Sequence, residues 1–481
     1  MPRQRRRSAA LFTADFVEIR VENGSVICNS RAKETVLLAC KNAGFFISAP
    51  CGGEKRCGKC KVELLEGRVT GDTPDENGKV RACCAVPLTD ITIACDKELF
   101  PSGGEIPASG GNAAFNFTGT LPRAAAAVDI GTTTVSAQLV NPDTAQVIDT
   151  ISQLNDQRVF GADVMSRINN AKKSGTHELF SLINRQTERI LKTFIKRFNI
   201  SKIEKLSVSG NTVMLHLFLN ADPSGMGKLP FTPVFLEEKI LKGEELCLSA
   251  ETAHVLPSVS AFIGADIASA LASLDILSRD GPSFYVDLGT NAEMALINNG
   301  NIICCSAAAG PAFESADNSL SGCALIDAIC EMLAKGIIDE TGIFNKPHKE
   351  YCAGEGIYVT AKDIRNLQLA KSAIISGIKI LLKEENLNAS EIKNVFIAGG
   401  FGFFLNKQNA VTAGLIPKEF LDKVFSCANM SLKGAVESLS DISFTEKCKN
   451  IIKKCKVIDL ACEPSFFDEF ASNMFFTAAG D

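Results

Sequence analysis

Ten residues near the start of the chain hold three cysteines: Cys51-Gly52-Gly53-Glu54-Lys55-Arg56-Cys57-Gly58-Lys59-Cys60. Five residues separate the first pair and two the second, and Cys83 follows after twenty-two more. This is close to the C-x4-C-x2-C…C spacing at which four thiolates hold a 2Fe-2S cluster. The glycines suit such a loop, because wrapping a cluster takes positive-φ positions and backbone N–H groups close to the sulfides. Zinc is the competing reading, since Cys57-x-x-Cys60 could form one knuckle. Structural zinc sites usually use two short cysteine pairs, whereas here a three-cysteine loop meets one distant thiol. The ligand set read from the spacing is therefore Cys51, Cys57, Cys60 and Cys83, with Cys84 and Cys95 as alternatives for the fourth position. Cys28 and Cys40 sit at apolar positions and read as core thiols.

A second chemistry-bearing pattern occurs twice. Val128-Asp129-Ile130-Gly131-Thr132-Thr133-Thr134 is echoed 158 residues later by Val286-Asp287-Leu288-Gly289-Thr290-Asn291-Ala292. In each copy an Asp ends an apolar strand, a glycine turn follows, and a second strand leads away. Backbone N–H groups of such a turn, with threonine hydroxyls beside them, suit phosphate oxygens. The carboxylate can hold Mg2+ through water or orient an attacking water. One copy alone would be an ordinary tight hairpin. Two copies, with a third glycine turn at Gly399-Gly400-Phe401-Gly402, make two phosphate clamps and a glycine surface on which an adenosine can lie. No Gly-x-x-x-x-Gly-Lys-Ser/Thr segment is present, so the P-loop route to ATP is absent, and no Gly-x-Gly-x-x-Gly opens a βαβ unit, which argues against NAD or FAD.

These residues need elements to position them. Around the cysteine loop, Phe16-Val-Glu-Ile-Arg-Val21 alternates as a half-buried strand, Asn23-Gly24 marks a turn, and Ser25-Val-Ile-Cys28 returns. A short helix is expected over 33–41, and strands over 61–65 and 90–94. Strands with one helix, and a cysteine loop between the helix and the third strand, resemble the β-grasp fold of plant-type ferredoxins. Residues 99–123 turn to Gly, Ser and Pro and read as a flexible linker. From 124 onward the pattern is α/β. Helices are expected over 180–198 and 265–274, strands over 205–209 and 394–398, and a strand over 456–460. Thr360-x-x-Asp363 reads as a capping box opening a long helix. The repeated Asp-Gly-Thr unit predicts two similar lobes facing each other, 124–280 and 281–481. Phe466, Phe467, Phe470, Phe475 and Phe476 read as packing residues.

Composition bounds the rest. The chain has 481 residues, 46% of them apolar, with net charge −5. That is enough for several cored domains, and gives no electrostatic case for nucleic-acid binding. Eighteen cysteines, some in adjacent pairs such as Cys83-Cys84 and Cys304-Cys305, do not form a secreted disulfide framework in a chain this long, so a reducing cytoplasm is expected. Residues 1–15 carry Arg3, Arg5, Arg6 and Arg7 and read as a basic disordered tail, with a transit peptide as the alternative. No apolar run reaches membrane-spanning length, so no membrane partner is expected.

Val128-Asp-Ile-Gly-Thr-Thr-Thr, Val286-Asp-Leu-Gly-Thr-Asn-Ala-Glu293 and Ile397-Ala-Gly-Gly-Phe-Gly402 resemble the phosphate-1, phosphate-2 and adenosine motifs of the acetate and sugar kinase, heat-shock chaperone and actin superfamily. With a ferredoxin-like domain at 16–98, the chain resembles the reductive activators of corrinoid proteins. Gly161-Ala-Asp163-Val-Met-Ser-Arg167, Ser209-Gly-Asn-Thr212, Gly264-Ala-Asp266 and Asp363-Ile-Arg-x-Leu-Gln-x-Ala-Lys371 fit that family too. The chain departs from it in a short stretch, 315–320, and in Ala324 where glycine is usual. The resemblance implies an actin-like, duplicated ribonuclease-H-like ATPase. It implies ATP and Mg2+ beside the cluster, and one electron passed to a corrinoid protein to return Co(II) to Co(I). Asp129 and Asp287 would hold Mg2+ and water. Thr132, Thr133, Thr290 and Asn291 would meet phosphates, with Gly131, Thr134, Gly289 and Glu293 beside them, and Gly399, Gly400 and Gly402 would line the nucleotide. Phe401 has simple packing as its alternative. A low-potential donor of ferredoxin or flavodoxin type is implied, and a homodimer is left open. Two other classes compete: a small-molecule kinase with an accessory cluster, and a nucleotide-sensing electron carrier without turnover.

Overall fold

The computed structural model describes residues 16–21, 27–31, 34–42, 45–47, 49, 53, 55, 57–94, 100–101, 105–106, 121, 123–310, 322–345, 349–354 and 357–476. The chain divides into two compact units, Met1–Gly104 with Arg158–Ala162, and Glu105–Gln157 with Asp163–Asp481.

The first unit is built on a five-stranded sheet in the order Ile27–Arg31, Phe16–Val21, Ile91–Ala94, Lys61–Glu66, Lys79–Arg81. Phe16–Val21 runs parallel to Ile91–Ala94, and the other neighbours are antiparallel. A parallel central pair flanked by antiparallel strands, with the helix Val36–Asn42 beside it, is the β-grasp arrangement expected from the sequence. Ile91 and Ile93 are buried while Thr92 and Ala94 are partly exposed, the period-two pattern of a strand with one covered face. Ile19, Val36, Val62, Val80, Ile91 and Ile93 share the core with Cys40, Cys60, Cys83 and Cys84.

The second unit repeats one topology. In its first half, Ala125–Ile130 pairs antiparallel with Thr134–Val140, which pairs antiparallel with Val147–Leu154. On its other side Ala125–Ile130 runs parallel to Ile203–Gly210, and that strand runs parallel to Ala250–Val255. The second half does the same with Ser283–Leu288, Ala292–Asn298, Asn301–Ala307, Asn394–Ala398 and Val424–Ser426. Numbered within each half, both sheets read 3-2-1-4-5. The first adds Glu105–Ile106 and Lys239–Lys242 at its edges, the second Cys455–Val457. The sequence repeat is thus a repeat of architecture. The central strands Ala-Ala-Ala-Val-Asp-Ile and Ser-Phe-Tyr-Val-Asp-Leu are buried except at their aspartates. Near-continuous apolar runs are what strands covered on both faces require.

The flanking helices follow their patterns. His177–Phe198 buries Leu179, Ile183, Thr187, Ile190 and Phe194 on one stripe and ends at Asn199 in the left-handed region. In Ala361–Glu384 the backbone N–H of Thr360 donates to Asp363 at 2.9 Å, closing the expected capping box. Differences from the sequence reading are local. Phe100–Pro101 and Glu105–Ile106, read as linker, are short paired strands. The strand expected over 456–460 is only Cys455–Val457. The glycine turn after Asn394–Ala398 coils into a single helical turn, Gly399–Gly402. Of the C-terminal aromatics, Phe476 is buried and Phe466 and Phe470 pack on the core, whereas Phe467 and Phe475 are exposed. No described helix is long and apolar enough to cross a membrane.

Candidate functional site

The two Asp-Gly-Thr turns meet. Thr133 Oγ1 and Thr290 Oγ1 lie 2.9 Å apart although 157 residues separate them. Each turn is built the same way. Gly131 N–H donates to the Thr134 carbonyl at 3.0 Å, and Gly289 N–H to that of Asn291 at 2.9 Å. Beyond the third strand of each sheet, Asn155 N–H donates to Thr133 O and Gly310 N–H to Thr290 O. The first turn has further support: Asn155 Nδ2 donates to Gly131 O at 2.8 Å, and the fully buried Arg167 donates to Thr132 O. Arg167 thereby places a positive charge behind the turn, which favours anions in front of it.

The fourth strands close the pair. Asp129 lies opposite Ser209 and Asp287 opposite Ala398 in the parallel registers. The residue after each partner is a glycine for a steric reason. A Cβ on Gly210 would stand 2.5 Å from Ile130 O; one on Gly399 would stand 2.4 Å from Leu288 O and 2.6 Å from Asp287 Oδ1, with φ at +91°. Gly399→Ala is expected to destabilise the fold by about 1–3 kcal/mol. Thermal unfolding with and without nucleotide should show both a lower Tm and a smaller nucleotide-induced rise. Phe401, the residue with an open alternative, packs against the second half's core.

Four carboxylates face this region. Asp129 accepts from Asn429 Nδ2 and Ser431 Oγ, each at 2.7 Å. Asp287 accepts from the Tyr285 hydroxyl at 3.2 Å. Glu293, paired with Asp287 across the antiparallel strands, is 3.4 Å from its donor Ser306 Oγ. Asp266 sits in the first turn of helix Ala265–Ser273. The three aspartates keep part of their surface open, but protein surrounds them. Burial raises Asp129, and its two donors offset part of that. Burial and then the Asp129 charge push Asp287 up to about 6. Burial and then the charges of Asp129 and Asp287 push Asp266 to about 8. Burial and then Asp266 and Asp287 push Glu293 well up. A cluster whose members resist ionising together is one a cation would stabilise. Among the described residues no three Cys, His, Asp or Glu side chains close on one point as metal ligands.

A pH dependence follows. Folded pKa values raised to about 6 and about 8 mean stability that is present at low pH and lost as pH rises through those values. The buried neutral His216 works in the opposite sense below its ordinary range, so the Mg2+-dependent increment is the cleaner reading. The Mg2+-dependent part of the ADP-induced Tm shift is expected to be larger at pH 8 than at pH 6. The check is a melting series with and without the metal.

In the first unit, the fit to a cluster rests on backbone. Gly53, Lys55 and Gly58 have φ of 85°, 62° and 66°. Positive φ at three nearby positions is the backbone geometry that a tight loop wrapped around a cluster needs. Ala82 N–H donates to Cys60 O at 2.7 Å, which ties the loop to the turn carrying Cys83. Cys60 and Cys83 are buried, Cys57 is half-buried, and Cys84 Sγ lies 3.8 Å from Cys83 Sγ. Cys51, Cys95, the segment 311–321 and the basic tail lie outside the described residues. Sequence reading assigned no role to Asp266, Asn429 or Ser431. Arg167 lay in a matched segment, but only the fold shows that it braces the first turn.

A model of the RACo middle region matches residues 124–279, and a model of the C-terminal domain of RACo, the ASKHA domain, matches 281–320 and 317–481. The chain belongs to the RACo family. A 2Fe-2S iron-sulfur cluster binding domain matches residues 19–88. Among curated relatives, the corrinoid activation enzyme RamQ of Eubacterium limosum is 29% identical over 416 residues, 73% of this chain and 70% of its own. The Co(II) methylated amine-specific corrinoid protein reductase of Methanosarcina barkeri is 25% identical over 392 residues, 68% of this chain and 72% of its own. A solved reductive activator for a corrinoid, iron-sulfur protein superposes with a TM-score of 0.68 at 24% identity, covering 95% of this chain and 98% of that one. That likeness shows a shared fold: the RACo chain is a ferredoxin-like unit joined to a duplicated, actin-like ASKHA unit.

Proposed function

We propose that this RACo protein is an ATP-dependent reductive activator that passes one electron to a corrinoid protein and returns its Co(II) to Co(I). One observation carries the reading: a single chain joins a 2Fe-2S domain to a nucleotide fold whose two phosphate turns meet at Thr133 and Thr290. The curated relatives are described as corrinoid activating or reducing enzymes, which supports a corrinoid protein as the partner. Cys51, Cys57, Cys60 and Cys83 hold the cluster within domain 16–98, before a linker at 99–123. The cluster supplies a one-electron store.

ATP enters between the lobes, 124–280 and 281–481. The turn residues Gly131, Thr132, Thr133, Thr134, Gly289, Thr290 and Asn291 hold its phosphates. Gly399, Gly400, Phe401 and Gly402 line its adenosine. Asp129 and Asp287 hold Mg2+ and orient the attacking water, with Glu293 next to Asp287. Nucleotide can drive the partner's redox change only by differential binding to two closure states. Each tenfold bias is worth about 1.4 kcal/mol, or ~59 mV for one electron. The protein works in the cytoplasm with a low-potential donor of ferredoxin or flavodoxin type.

ATP turnover separates this reading from a kinase. Phosphate release should rise on adding a Co(II) corrinoid protein, and not with sugars or short carboxylic acids. Phosphorylation of such a small molecule, with no response to the corrinoid protein, would contradict it.

A further inference from the structure

Helix Met430–Ser440 follows the strands of the second half in sequence, yet it packs along its length on the first half, against Ala125–Ile130, Ile203–Gly210 and helix Ala265–Ser273. Its first turn carries Asn429 Nδ2 and Ser431 Oγ, each 2.7 Å from an oxygen of Asp129. Further along, Gly434 lies so close to Ser269 that a Cβ would stand 2.6 Å from the serine Cβ and 2.7 Å from its carbonyl oxygen. At the end, Glu437 Oε1 accepts from Ser273 Oγ at 2.9 Å, and Ser438 Oγ lies 2.6 Å from Ser207 Oγ.

The grip on Asp129 runs inward through buried hydroxyls. Ser431 Oγ is 2.9 Å from Ser209 Oγ, which is 3.1 Å from Ser269 Oγ, and all three serines are buried. Asn429 also accepts from Leu432 N–H at 2.8 Å, capping the helix with the same side chain that holds Asp129. The duplicated topology makes this one-sided. Asp287, the equivalent carboxylate, takes its hydroxyl donor from Tyr285 on its own strand. Among the described residues, Asp129 takes side-chain donors from a segment 300 and 302 positions further along the sequence.

We propose that Asn429 and Ser431 are positioning residues that couple occupation of Asp129 by a cation and its waters to the seating of helix Met430–Ser440 on the first half. A carboxylate whose charge is shared with a cation is a weaker acceptor, and the cation and its waters compete for the lone pairs that the two donors use. Ser431 Oγ has Ser209 Oγ as a ready alternative partner, so release leaves no buried hydroxyl unpaired. The first turn then loosens from Asp129 while the Gly434 contact stays, giving a pivot at Gly434 and a movable end at Asn429. This coupling rests on the proposed nucleotide and Mg2+ site.

The test is amide hydrogen exchange of residues 430–440 in the full chain, with and without Mg2+ and ADP. In the unaltered protein Mg2+–ADP should speed exchange in the first turn by about threefold or more, a local opening of low free energy. Ser431→Ala should exchange rapidly without nucleotide and respond little to its addition, and Ser431→Thr, which keeps the hydroxyl, should restore the response. Asn429→Asp, which keeps a cap but sets a carboxylate against Asp129, should act like Ser431→Ala. A purely structural role would shift both states of Ser431→Ala equally, and that result, or an unaltered nucleotide response, overturns the coupling. Failure of the unaltered protein to bind Mg2+–ADP at all, seen as no Tm shift, overturns the nucleotide reading and the coupling with it.

Discussion

Asp129→Asn is expected to lower ATP-dependent corrinoid reduction by on the order of 10²–10³-fold while raising the Tm of the nucleotide-free protein. The two halves of this expectation share one cause. Asp129 ends its strand where the first phosphate turn begins, and its charge is among the causes that raise Asp266 and Asp287. Removing that charge relieves a repulsion in the nucleotide-free protein and takes away the group proposed to hold Mg2+ and water. Activity and stability therefore move in opposite directions, as is common where a site is built from groups that disfavour one another. ATP turnover and Co(I) formation, measured beside a melting curve, check both. The cluster's paramagnetic signal should be unchanged, because Asp129 lies in the other compact unit. A loss of less than tenfold would remove Asp129 from the catalytic role.

Cys60→Ser is expected to abolish electron transfer by depriving the cluster of a buried thiolate. Cys60 is 1% exposed, and its carbonyl is bonded to the N–H of the residue preceding Cys83. A serine there is smaller, harder and protonated at neutral pH, a poor match for iron that prefers thiolate. Iron content and visible absorption after anaerobic reconstitution should fall to less than about half. The ADP-induced Tm shift should persist, since nucleotide binding is assigned to the other unit. Full iron loading with unaltered reduction of the corrinoid protein would exclude Cys60 as a ligand.

Most of the fold was legible because its signals are local. Alternation over Phe16–Val21, the cysteine spacing, the Thr360–Asp363 box and the twin Asp-Gly-Thr turns each lie within about ten residues. The repeat at 158 residues carried the two-lobed reading, and the identical strand orders bear it out. The groups that complete the site were not legible for the converse reason. Asn429 and Ser431 are ordinary helix-start residues in the sequence, and they meet Asp129 across 300 and 302 positions. Arg167 ends a segment that fits the family, but its burial against Thr132 comes only from the fold. Asp266 was marked only as part of the Gly264-Ala-Asp266 segment, and its raised pKa comes from burial and then from the charges of Asp129 and Asp287, one on each sheet. Gly399 was legible as a glycine turn, but the contact that demands glycine, with Leu288 and Asp287, is a product of strand register.

In the proposed mechanism nucleotide gates the passage of an electron from the cluster to a corrinoid. The most direct test is a single-turnover mixture of the pre-reduced protein with a Co(II) corrinoid protein, followed by visible spectroscopy with excess reductant removed. With Mg2+–ATP, Co(I) absorption should rise as the cluster reoxidises, at no more than one electron per chain. Without nucleotide, or with Asp129→Asn, little or none should form. Co(I) appearing at the same rate and extent without ATP would contradict the account, as would ATP turnover that leaves both the cobalt and the cluster spectra unchanged.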